Sequence, residues 1–153
     1  GVNMMHDDWA DPMSETTRAL LMLAAREGPD CLLNLHTHGH PPGILPTKHV
    51  PVPHERRLHA FNREYRRRMA GLGLRTMDIK HWKDISEETR EQDEAPFNLQ
   101  SMFYHVGADF GCLFESAHGT LPHSPDYDYE AILRSHDVLF ELAAEEILRK
   151  ETT

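Results

Sequence analysis

Apolar residues in this chain fall into two patterns, helical stripes and short continuous runs, separated by glycine- and proline-rich breaks. Leu20, Leu23 and Ala24 lie at helical spacing, with Pro12 and Ser14 as start signals and Gly28-Pro29 as a stop, so the spacing predicts a helix over 12–28. Residues 31–37 are apolar on both alternations, with only Asn34 interrupting. That is the pattern of a strand covered on both faces in a mostly parallel sheet. Leu58, Phe61, Tyr65 and Met69 predict a second helix over 54–70, ended by Gly71 and Gly73. Residues 74–80 fit a short strand, 86–94 an exposed polar loop or loosely held helix, 97–106 a short helix, and 109–115 a second buried strand. Ile132, Leu139, Leu142, Ala143 and Ile147 predict a long closing helix over 127–150.

A helix leading at once into a buried strand indicates α/β architecture. The expectation is a mixed, mainly parallel sheet with helices on both faces, incomplete at one edge. Such an edge leaves apolar strand surface unpaired, which predicts a homo-oligomer or association with a missing N-terminal segment. Between His38 and Pro53 the prolines at 41, 42, 46, 51 and 53, with Gly39 and Gly43, exclude regular structure. They predict a long ordered loop at a strand end, where α/β proteins place their ligands.

Composition narrows the function classes. The 153 residues fit a single domain spanning 1–153, and 39% apolar with 27% charged residues describes a folded globular chain. No run of eighteen apolar residues occurs, so no membrane span is expected. A net charge of −9 opposes nucleic-acid binding. Cys31 and Cys112 both sit in strand candidates and read as buried free thiols, which leans toward a reducing, cytoplasmic compartment. The chain opens Gly1-Val2-Asn3, so the expected N-terminus is processed or lies upstream. Arg56, Arg57, Arg63, Arg66, Arg67 and Arg68 share the polar side of the second helix and read as a solvated face paired with acids.

Candidate chemistry sits at the ends of the two strands. His36 closes Leu33-Asn34-Leu35 and Glu115 closes Cys112-Leu113-Phe114. A neutral imidazole suits zinc, and a partly buried carboxylate beside the metal suits a general base. If the first strand continued, alternation would put His36, His38 and His40 on one side, although Gly39 and Pro41-Pro42 oppose that. His118 and Gly119 read as ordinary turn residues.

The segments Gly1-Val2-Asn3-Met4-Met5-His6-Asp7-Asp8-Trp9, Ser14-Glu15-Thr16-Thr17-Arg18-Ala19-Leu20-Leu21 and Asn34-Leu35-His36-Thr37-His38-Gly39 resemble the zinc carboxypeptidase superfamily. Tyr104, Gly107 and Phe114-Glu115 resemble its last functional strand. The resemblance covers nearly the whole chain as the C-terminal half of a catalytic domain with a carboxypeptidase-like (phosphorylase/hydrolase-like) fold. It implies zinc as cofactor, His36 as a zinc ligand, and Glu115 as the base. His6, Asp7, His38 and Tyr104 become substrate-binding candidates, and the substrate class is a peptide or small amide. The family's His-x-x-Glu ligand segment is absent from this sequence, and Met5-His6 stands where the family has an Asn-Arg pair. The loss of that arginine removes a bidentate grip on a terminal carboxylate.

Two further readings follow from the residues. Leu35-His36-Thr37-His38 could open the metal site of an amidohydrolase-like barrel through its His-x-His pair, but such a barrel needs roughly 200 residues or more. A carboxypeptidase-like domain without chemistry, binding a partner or peptide, is favoured by Met5-His6 and disfavoured by the retained His36 and Glu115.

Overall fold

In the computed structural model the described residues are residue 7 and residues 11–47, 49–78, 99–117 and 127–151. In chain order they form α1 (Glu15–Glu27), β1 (Leu32–His38), β2 (Gly43–Leu45), α2 (Val52–Gly71), α3 (Leu99–His105), β3 (Gly111–Ala117) and α4 (Tyr129–Glu151). The strands make one mixed sheet in the order β1-β3-β2. β1 runs parallel to β3, and β2 antiparallel to it. The α/β expectation therefore holds for this region.

Helix ends follow local chemistry. Ser14 caps α1, its hydroxyl accepting from the Thr17 N–H, and Gly28 ends it in the left-handed conformation at φ +53°. Gly107 takes φ +115° in the turn from α3 into β3, a conformation that side-chain-bearing residues rarely adopt. The Gly107 N–H there donates to the Tyr104 carbonyl.

Alternation along the strands sorts two apolar layers. On one face Cys112 and Phe114 pack with Leu58, Phe61, Tyr65 and Met69 of α2 and with Val138, Leu139 and Leu142 of α4. Phe114 lies 5.6 Å from the Tyr65 ring and 5.3 Å from the His136 ring. On the other face Leu21 and Ala24 of α1 pack with Leu99, Met102 and Phe103 of α3 and with Leu32. Helices thus cover both faces, as expected.

Several expectations need correction. Residues 74–78 form no strand: among the described residues no ladder pairs them, and their longer-range bonds include the Met77 N–H donating to the Pro42 carbonyl and the Arg75 carbonyl accepting from the Tyr127 hydroxyl. Residues 79–80, the 86–94 segment and residues 97–98 lie outside the described residues. Regular structure does occur inside the proline-rich stretch: Gly43–Leu45 pairs with β3. A three-residue edge strand tolerates flanking prolines because only one of its sides donates to the ladder. In α1 the buried stripe is Thr17, Leu21 and Ala24, while Leu23 is 46% exposed. Both long strands end later than the pattern predicts, at His38 and Ala117.

On the arginine face of α2, Arg57, Arg67 and Arg68 pair with acids, and the face is not uniformly solvated. Arg68 bridges Glu64 and Glu145. Arg57 instead turns toward the core, bonding the buried Glu146 and Asp109 and lying 4.9 Å over the Phe110 ring.

Candidate functional site

The parallel pairing of β1 with β3 sets His36 directly opposite Glu115. Residues directly opposite in a parallel pair share a face, and neighbouring strands lie about 4.8 Å apart. The two side chains are therefore neighbours on the α1/α3 face of the sheet. Each stands two residues before the end of its strand, close to the carboxyl ends where open α/β sheets hold ligands. Both are partly buried.

Antiparallel β2 completes the row by placing Gly43 opposite Glu115 on its other side. The row His36, Glu115, Gly43 thus crosses all three strands with a side chain missing at one end. The pattern reading missed Gly43. The signal was the apolar Gly43-Ile44-Leu45 run between Pro42 and Pro46, masked by the prolines.

β1 continues to His38, so His36 and His38 do share a face. His38 lies opposite Ala117. Its Nδ1 accepts from the His40 N–H at 3.1 Å, and the two rings stand edge to face at 4.9 Å. That bond uses one nitrogen of His38 and leaves the other for a ligand.

Two further candidates have partners of their own. The buried Asp7 accepts from the N–H groups of Met13 and Ser14 at 2.9 and 3.0 Å, which fastens the chain entering α1. Tyr104 packs on the His54 ring at 4.6 Å, near Phe110 at the start of β3. Phe110 stands five residue steps before Glu115, roughly 16 Å along the strand, and Tyr104 sits at that end. The structure does not bring it to the site, because α3 docks at the amino end of β3. His6 and His118 lie outside the described residues.

A cavity of about 600 Å³ opens along the free edge of β1, lined by Leu20, Leu23, Asn34, Leu35, His36 and Phe103 among others. His36 thus lines this cavity and stands opposite Glu115 on the neighbouring strand. Among the described residues no group of three or more His, Cys, Asp and Glu side chains could hold a metal ion. The row supplies two donors, and by themselves the described residues do not fit a complete zinc site.

The chain matches no known family model, no characterised protein and no solved structure.

Proposed function

We propose that this chain carries one ligand and the base of a zinc-dependent hydrolase of the metallocarboxypeptidase type, cleaving a peptide or amide bond. The observation that supports it is the in-register pairing of His36 with Glu115 near the carboxyl ends of adjacent parallel strands. An imidazole and a carboxylate at that spacing suit a reaction in which the carboxylate takes a proton from water and returns it to the leaving amine. Zinc, when bound, supplies Lewis acidity. The accompanying fold reading is a carboxypeptidase-like sheet of which β1, β3 and β2 form one portion. Because Glu115 serves as the base and no group of three metal-binding side chains occurs among the described residues, the remaining ligands come from elsewhere, on the same or another chain.

Elemental analysis of the protein isolated from its source organism tests this, alongside versions carrying His36→Ala and Glu115→Gln. Expected are stoichiometric zinc lost in His36→Ala, zinc kept in Glu115→Gln, and hydrolysis of N-acylated dipeptides reduced by about 10²- to 10⁴-fold in Glu115→Gln. Zinc persisting in His36→Ala, or hydrolysis surviving Glu115→Gln, overturns the proposal.

The shared face of His36 and His38 favours a second reading, a His-x-His amidohydrolase-type site. It requires His38→Ala to lose metal as completely as His36→Ala. The first reading requires His38→Ala to retain it.

A further inference from the structure

Away from the candidate site, imidazole and aromatic rings meet where α3 leans on the first turn of α2. His54 is buried. Its ring lies 4.6 Å from Tyr104 of α3 and 6.0 Å from Phe110, and its buried Nε2 has no hydrogen-bond partner among the described residues. Beside it, His105 Nε2 lies 2.7 Å from the His49 carbonyl oxygen, tying the proline-rich segment to α3. His49 holds φ +57°, the only positive φ of a non-glycine among the described residues. One imidazole thus sits at a junction of three segments with an unmet hydrogen bond.

We propose that this junction is an acid-released latch, in which protonation of the His54 imidazole frees α3 from α2 while the sheet and α4 stay folded. The neutral ring packs like any aromatic side chain. The protonated ring carries a buried N–H without an acceptor and a charge one turn from Arg57, and both are costly. The charged groups acting on it are Arg57 from α2 and Asp109 from the entry to β3, with Tyr104 and His105 on the α3 side. Burial first, then Arg57, hold its proton affinity down to about 4 from 6.5, against the opposite pull of Asp109. Since the folded value is depressed, the latch is fully closed above about pH 6.5 and loosens as pH falls toward 4. Gly107 links α3 to β3, so loosening reaches the strand that carries Glu115.

Hydrogen exchange, expressed as protection factors, tests the latch on the whole chain at pH 7.5 and pH 5.0. The reporting amides are Val106 and Ala108, bonded to the Met102 and Phe103 carbonyls of α3, with Leu139 and Leu142 of α4 for comparison. With affinities of about 4 closed and 6.5 open, α3 protection falls about thirty-fold at pH 5 and α4 protection is unchanged. His54→Phe keeps the ring packing and abolishes the fall. A pH-independent α3, an equal fall in His54→Phe, or α3 and α4 losing protection together overturns the proposal. Should His54→Phe fail to fold, NMR titration of the His54 ring in the unaltered protein decides. A midpoint below pH 6 with Tyr104 ring broadening upholds the latch, and a midpoint near 6.5 overturns it.

Discussion

Two thiols show how far a residue's position in the sheet sets its chemistry. Cys112 is fully buried in β3 between the two helical layers, and burial pushes its thiol far above the ordinary range. Cys31, just before β1, is pushed up to about 11, by burial first and by the Glu146 carboxylate second. Two units above the usual value leaves about a hundredth of the ordinary thiolate at pH 8. Iodoacetamide at that pH should therefore alkylate Cys31 about 100-fold more slowly than a free cysteine, with Cys112 slower still, and both should react at once in urea. Mass spectrometry of timed samples checks this. The sequence was enough to read Cys112 as a buried thiol, because it sits in an apolar run, whereas Cys31 stands just before β1 and is only half-buried. It was not enough to separate Arg57 from its neighbours, since a helical wheel shows six arginines on one side and says nothing of Glu146 on a distant helix. Arg57 neutralises that buried carboxylate, and Arg149 reaches its other oxygen at 2.8 Å. Arg57→Met should cost about 3 kcal/mol, less than a fully orphaned charge because Arg149 remains. Urea denaturation at pH 7 measures it.

At the scale of elements, periodicity located all four helices and both long strands, because a buried stripe or a two-sided apolar run is written in consecutive residues. It failed where pairing alone decides. Gly43–Leu45 is a strand only because β3 offers it an edge, whereas residues 74–78 have strand-like composition and no such edge. The same cause displaced Tyr104: a local motif match cannot show that α3 docks at the far end of β3. It also explains what was legible of the site, because His36 and Glu115 each end an apolar run while their mutual register is a property of two strands far apart in sequence. Helix and strand approach closely at Gly111, where an added Cβ would lie 2.7 Å from Gln100 Nε2 and 3.2 Å from the Leu32 carbonyl oxygen. Gln100 is itself buried, so its side chain has little room to swing away. Gly111→Ala should cost about 1–2 kcal/mol by overpacking this contact, seen as a lower thermal midpoint, and Gln100→Ala should recover part of the loss in the double variant.

For the whole molecule the informative place is the outer side of β1. Its residues carry the pattern of a central strand, yet among the described residues only β3 pairs with it. Leu35 and Leu23 are each 46% exposed there, beside the cavity that reaches His36. A strand edge with apolar side chains on its flanks is a template for another strand. With nothing laid against it, the chain should self-associate as its concentration rises, and Leu35→Lys should suppress this with a change in folding stability within about 1 kcal/mol, since the site is already half-exposed. Sedimentation velocity across a concentration series reads both outcomes. The same edge bears on the chemistry, because whatever covers β1 lies next to His36. If the proposed zinc site exists and the covering segment brings its other ligands, Leu35→Lys should weaken zinc retention even though residue 35 points to the opposite face from His36. Competition with a chelator of known affinity would show it. Zinc held equally well by Leu35→Lys would mean that the remaining ligands reach His36 from another direction, and that covering the edge and building the site are separate events.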